Sequence, residues 1–269
     1  MKILVIGGGH MGQSFAQSFL HSFITDTSNF AVLEKDPSKF EALKKIGVSH
    51  IFNKPGKELL EADLIVLAVK PQAFNNLALS IKPFISTEQV FLSIMAGVSI
   101  QTIKNALNVE KIIRAMPNIA AQIGEGMSVF TSSAAVTRIE LVTVQNLLES
   151  TGKNLYVSNE DLIDAGTAIS GSGPAYVLYF MESIFKAALD LGFAKPQAEM
   201  LTHQTFKGII EYSQNSKENF RELIAKIASK GGTTEAAIQV FENNKTQDII
   251  IKAVKQAYQR AKELGQIKS

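Results

Sequence analysis

"KILVIGGGHMGQSF", residues 2–15, decides the fold. Residues 3–6 are four apolar side chains in a row, mostly branched. A run without polar alternation is buried on both faces, as strands of a parallel sheet are. It stops at three glycines. Beyond them Phe15, Phe19 and Phe23 recur at four-residue steps, which places them on one face of a helix. Gly7, Gly9 and Gly12 fill G-x-G-x-x-G between that strand and that helix. The first glycine permits the tight turn. The second lets a pyrophosphate approach the backbone, and the third allows the helix to lie close on the strand. The helix N-terminus then offers unpaired N–H groups to phosphates. Gly7, Gly8, Gly9, His10, Met11 and Gly12 are the candidate cofactor-binding residues of this loop, His10 being a neighbour of the phosphates rather than a catalyst.

Outward from the loop the alternation continues. "FAVLEKD" reads as a second strand and "PSKFEALKKIG" as a second helix, with Pro37 in its first turn and Gly47 at its C-terminal cap. "ADLIVLAVKP" and "QVFLSIMAG" are further strands, "SIQTIKNALN" a helix, and "KIIRAMPN" a strand. "GMSVFTS", the helical "RIELVTVQNLLEST" and "NLYVS" extend the series. Strand and helix in alternation imply an α/β, doubly wound (Rossmann-type) dinucleotide-binding domain over residues 1–158. Residues 159–269 carry apolar side chains at three- and four-residue steps and read as an all-helical C-terminal domain. The helix near 174–191 is apolar on too many sides for a surface helix. It is expected to be buried between helices, with a second subunit as one source of them.

The chain has 269 residues, a net charge of +2 and no cysteine. So small a charge argues against binding driven by nucleic-acid phosphates. Without cysteine there are no disulfides, thiolate metal sites or cysteine nucleophile. No metal-ligand spacing occurs, and His21, His50 and His203 have no supporting constellation. No apolar stretch approaches the roughly 18 residues of a membrane span, and no secretory signal is evident. The expectation is a soluble, cytoplasmic protein.

Three further groups carry candidate chemistry. Glu34 ends the second strand, 22 residues after Gly12, where an acid can accept the ribose 2′-hydroxyl of NAD; Lys35, next to it, can meet the 2′-phosphate of NADP. These pull in opposite directions, so both cofactors stay open, and a solvated strand end is the plain alternative. "AVKP", which supplies Ala68, Val69, Lys70 and Pro71, ends a strand at the carboxyl edge of the sheet, where open α/β folds bind ligands. In "GGTTEAAIQVFE", residues 231–242, Gly231 and Gly232 let the backbone approach a small ligand. Thr233 and Thr234 offer hydroxyls, and the new helix offers N–H groups, a set suited to a carboxylate. The plain alternative is that Thr233 is an ordinary helix cap.

"IIRAMPNIAAQIGEGMSV" (112–129), "DLIDAGTAISGSGPAYVLYFMES" (161–183) and "IASKGGTTEAAIQVFE" (227–242), with "VIGGGHMG" and "AVKP", resemble the pyrroline-5-carboxylate reductase family over essentially the whole chain. The resemblance implies reduction of 1-pyrroline-5-carboxylate to L-proline with NADP, or NAD, as hydride donor. It implies cofactor contacts extending to Ala96 and a substrate-binding set of Ser229, Gly231, Gly232, Thr233 and Thr234. Thr234, near the ring nitrogen, is the candidate catalytic residue, and no metal is implied. It also implies self-association through the helical half into dimers and rings of dimers. Three positions depart from the family's pattern. Ile119 and Ala120 stand where Thr-Pro is usual, Lys230 stands where Pro precedes the double glycine, and Lys226 replaces an Asn found in some members.

Two other readings have their own features. Hydroxyacid dehydrogenases resemble the chain around "GSG" but carry a lysine four residues after Gly173, where this chain has Val177. Reducing a carbonyl needs a proton relay at oxygen, which valine cannot supply; an imine can arrive already protonated. A catalytically silent nucleotide-binding regulator is the third reading.

Overall fold

The computed structural model describes residues 1–22 and 25–265; Phe23, expected on the first helix face, lies outside them. Two compact units are present: residues 1–172 with 257–269, and residues 173–256.

The first unit is built on one eight-stranded sheet of order β3-β2-β1-β4-β5-β6-β7-β8. The strands are β1 (Ile3–Ile6), β2 (Phe30–Leu33), β3 (His50–Phe52), β4 (Leu64–Leu67), β5 (Val90–Ser93), β6 (Ile112–Met116), β7 (Gly126–Ser132) and β8 (Gly152–Tyr156). The first six are parallel and in doubly wound order. Ile3 and Val5 of β1 pack into the core on one face and Leu4 and Ile6 into that on the other, which is why the run has no polar alternation. Helix α1 (His10–His21) covers the first face with Phe15 and Phe19, whose rings meet edge-on at 5.3 Å. Helix α2 (Phe40–Lys45) adds Leu43 there. Helices α3 (Phe74–Ile81) and α4 (Ile100–Leu107) cover the second face with Phe74, Ile81, Ile103 and Leu107. Each of these side chains contributes about 1.5–3 kcal/mol on burial.

β7 runs antiparallel to β6, with Ala115 opposite Phe130, and β8 runs parallel to β7. The last two strands therefore extend the sheet in reverse. The reversal follows Pro117: a 3₁₀ turn over Ile119–Ile123 ends at Gly124, whose φ of +74° suits glycine. Helix α5 (Arg138–Glu149) joins β7 to β8 and begins with a capping box. The Thr137 N–H donates to Glu140 Oε2 at 2.8 Å, and the Glu140 N–H donates to Thr137 Oγ1 at 3.3 Å. Helix α6 (Asp161–Gly166) runs into a π-turn over Thr167–Gly171.

The second unit is helical: α7 (Gly173–Asp190), α8 (Lys195–Gln214), α9 (Phe220–Ile227) and α10 (Thr233–Asn243), followed by α11 (Thr246–Gly265), which continues into the first unit. α7 packs on α8 yet has no buried residue in the single chain. Leu178 is 62% exposed, Tyr179 71% and Ile184 46%. The chain's own helices leave it bare, so the expected burial falls to helices of a second subunit. Among the described residues, no helix is long and apolar enough to cross a membrane.

Candidate active site

The glycine loop lies at the carboxyl edge of β1. Gly7 has φ +106°, and a Cβ there would sit 2.6 Å from the carbonyl oxygen of Ala68. A Cβ on Gly12 would run into the carbonyl oxygen of Gly7. Both positions therefore need glycine for close approach. Gly9 differs: its backbone is extended, and a Cβ would meet nothing within 4 Å. Gly9 is also the N-cap of α1, with no side-chain cap. The N–H groups of that first turn have no intrahelical partner. An open Cα beside uncapped N–H groups is the cradle a pyrophosphate fits. The Gln13 amide donates to the Gly8 carbonyl at 2.8 Å and steadies the loop. Met11 packs against the core, and the His10 side chain is exposed.

Neighbouring strand ends complete the edge. The Ala68 N–H donates to Ile6 at 2.9 Å, which sets Ala68 and Val69 behind Gly7. Lys70 is exposed and Pro71 opens a 3₁₀ turn. The Ile94 N–H donates to Leu67 at 3.1 Å, and Ala96 follows, half-buried, just beyond β5. A groove of about 360 Å³ lined by Met1, Asp63, Glu88, Gln89 and Glu140 lies instead at the amino edge, away from the glycine loop.

Glu34 is neither a solvated strand end nor a free acceptor. It is 4% exposed. Oε2 accepts the Gly8 N–H at 2.6 Å and the Lys39 ammonium at 3.1 Å, and Oε1 accepts the Asp36 N–H at 2.8 Å. Burial pushes its carboxyl up, but the N–H groups of Asp36 and Gly8 and the Lys39 charge outweigh it and hold it below the ordinary carboxylate value. Lys35 points to solvent. Glu34 thus ties the glycine loop to the end of β2. Lys39 had gone unremarked in the sequence; the only signal was a second lysine just past Pro37.

The loop of residues 229–234 belongs to the second unit. Gly231 has φ +75°, and its N–H donates to Glu235 Oε2 at 2.7 Å. The Gly232 N–H donates to the Ser229 carbonyl at 2.9 Å, and a Cβ on Gly232 would lie 2.8 Å from Ser229 Oγ. Gly232, not Thr233, is the N-cap of α10, so the ordinary-cap alternative for Thr233 is corrected. Thr233 and Thr234 fill the first two helical positions. Among the described residues neither hydroxyl has a hydrogen-bond partner, while the backbone donors of both glycines are already engaged. The open donors of the loop are thus these two hydroxyls, the Ser229 hydroxyl and the first-turn N–H groups.

Two supports were not legible beforehand. Arg114, 3% exposed in β6, donates to Glu160 at 2.9 Å and to Asp164 at 2.6 Å, fixing α6 to the sheet. Its signal was a charge inside an otherwise apolar strand. Asn118 donates to the Ser170 carbonyl at 3.0 Å, and its Oδ1 accepts the N–H groups of Ala120 at 3.2 Å and Met127 at 3.3 Å. It pins the π-turn to the β6–β7 connection. Ala120 supplies an N–H that a proline at that position would lack, so this departure from the family pattern adds a bond.

A pyrroline-5-carboxylate reductase of Aquifex aeolicus is 33% identical, over 98% of this chain and 97% of its own. The chain belongs to the pyrroline-5-carboxylate reductase family. Residues 160–264 match the family model described as pyrroline-5-carboxylate reductase dimerisation, and residues 2–97 match that described as NADP oxidoreductase, coenzyme F420-dependent. Among solved structures, a pyrroline-5-carboxylate reductase of Coxiella burnetii superposes with a TM-score of 0.89 at 32% identity, covering 98% of both chains. A Plasmodium falciparum pyrroline carboxylate reductase with NADP bound gives 0.89 at 28%, also covering 98% of both.

Proposed function

We propose that this chain reduces 1-pyrroline-5-carboxylate to L-proline, the last step of proline biosynthesis, with NADP as the cofactor and NAD as an alternative. The observation that carries the reading is likeness to reductases of this family along the full length, glycine loop and Gly-Gly-Thr-Thr loop included. Residues 1–158 form the cofactor domain and 159–269 the dimerisation and substrate domain. The helical half mediates self-association, and the protein works in the cytoplasm.

The reduced cofactor supplies a hydride. Gly7, Gly8, Gly9, His10, Met11 and Gly12 hold its pyrophosphate end through backbone groups, and Ala68, Val69, Lys70, Pro71 and Ala96 line the neighbouring strand ends. Ser229, Gly231, Gly232, Thr233 and Thr234 hold the substrate, whose carboxylate meets the two open hydroxyls and the N-terminus of α10. The C=N bond gains a hydride at carbon. A substrate already protonated at nitrogen needs nothing more; a neutral imine needs one proton, for which the Thr234 hydroxyl is the candidate donor. Most of the acceleration is then orientation. Val177 offers no proton relay, which favours an imine over a carbonyl substrate.

The test is the oxidation of NADPH or NADH by purified protein with pyrroline-5-carboxylate, followed by cofactor absorbance. Binding of the cofactor without turnover would replace this reading with that of a silent regulator.

A further inference from the structure

An acid at the end of β2 ordinarily selects NAD, because its charge repels a 2′-phosphate. Glu34 occupies that position in a chain read above as using NADP. The geometry around it resolves the conflict. The carboxylate is buried and folded under the glycine loop, with both oxygens engaged by Gly8, Asp36 and Lys39. Only Lys39 among those partners brings a full positive charge, and its side chain is 38% exposed, so the ammonium lies at the border between the carboxylate and solvent. Asp36 caps the turn that follows, accepting the N–H of Ser38 at 3.0 Å and its hydroxyl at 2.7 Å.

We propose that Lys39 determines cofactor specificity: paired with Glu34, it masks the acid and presents the positive charge that admits a 2′-phosphate. The inference rests on the functional reading above. Glu34 and Asp36 carry two negative charges in this segment, and Lys35 and Lys39 carry two positive ones. The segment is neutral as it stands. Without Lys39 it is net negative, and the uncovered charge is the one bonded directly to the loop. Lys35, exposed and bonded to none of these groups, adds to the field but does not mask the carboxylate.

The experiment is calorimetric titration of the full-length protein with NADP⁺ and with NAD⁺, read as the ratio of the two affinities. Lys39→Met should weaken NADP⁺ by about tenfold or more while NAD⁺ stays within about threefold. Adding Glu34→Gln to Lys39→Met should restore most of the lost ratio, because the acid that Lys39 covered is gone. Lys35→Met should shift the ratio less than Lys39→Met. Loss of both cofactors alike in Lys39→Met, with no recovery of the ratio in the double variant, would reduce Lys39 to a prop of the loop and overturn the proposal. So would an unchanged ratio, or a larger shift from Lys35→Met. Should Lys39→Met not fold, Glu34→Gln alone carries the test: with Lys39 left unpaired the ratio must move toward NADP⁺, and a static ratio refutes the idea. Wild-type protein that binds neither cofactor would overturn the functional reading and this proposal with it. Wild-type protein that turns over with an unmoved ratio in the variants would overturn this proposal alone.

Discussion

Thr234→Ala separates ligand binding from helix capping, because the structure removes the capping role from the threonines. Gly232 holds the N-cap position and makes no side-chain bond. Thr233 and Thr234 are the first and second residues of α10, and neither hydroxyl bonds to the described protein. Deleting either hydroxyl therefore breaks no bond within the fold. Alanine is the better helix former by at most about 0.7 kcal/mol, so the melting temperature should hold or rise by about 1–2 °C in a chain of this size. A true cap would behave oppositely: its loss costs about 1 kcal/mol, a fall of roughly 2–4 °C. The kinetic side is larger. One hydrogen bond to a charged carboxylate is worth about 1.5–3 kcal/mol, so kcat/KM of Thr234→Ala should fall about 10- to 160-fold. Cofactor affinity should hold. If the hydroxyl also protonates the imine, the loss should fall on kcat and grow as pH rises, since the substrate then brings less of its own proton. The assays are steady-state kinetics across pH and thermal melts of Thr234→Ala and Thr233→Ala. A drop in melting temperature with kcat/KM intact would refute the reasoning.

Gly9→Val places a branched side chain in space the protein leaves open, at a backbone geometry valine accepts, so the circular dichroism spectrum should persist while cofactor binding is lost; unchanged affinity in a titration would remove this loop from the cofactor site. Phe180→Glu or Ile184→Glu charges a helix face that the single chain leaves bare, and light scattering should report a smaller species or the protein should come out insoluble; a wild-type protein already monomeric would contradict self-association through α7. Glu34, whose folded carboxyl is held below the ordinary glutamate value of 4.5, adds stability that is complete above that pH and is lost as pH falls through the lower folded value. The stability gap between wild type and Glu34→Gln, from denaturant melts, should thus narrow below about pH 4.5; a gap independent of pH would mean the charge contributes nothing.

The parallel part of the fold was legible because uninterrupted apolar runs such as "LIVL" have one comfortable environment, a strand covered on both faces. The direction of β7 was not: it depends on how the turn after Pro117 closes, and local pattern says nothing about that. β3 escaped notice because "HIF" is too short to show a period. In the site, the roles of Gly7 and Gly12 follow from steric demand and could be read in advance. The engagement of Glu34 could not, since Gly8 meets it only once β1 and β2 lie side by side, and Lys39 reaches back to it only through the turn that opens at Pro37. The cap of α10 was open for a related reason: threonine and glycine both suit an N-cap, and the choice turns on the extended backbone of Gly232.

The bare face of α7 makes concentration a property of this protein's stability. Where folding and association are one equilibrium, the monomer lacks the contacts that hold its helical unit, and each tenfold dilution removes about 1.4 kcal/mol from the assembled state. Resistance to heat or proteolysis would then depend on how much of the chain a cell makes. A substitution on α7 that touches neither loop in sequence could lower activity solely by raising the concentration at which the subunits part.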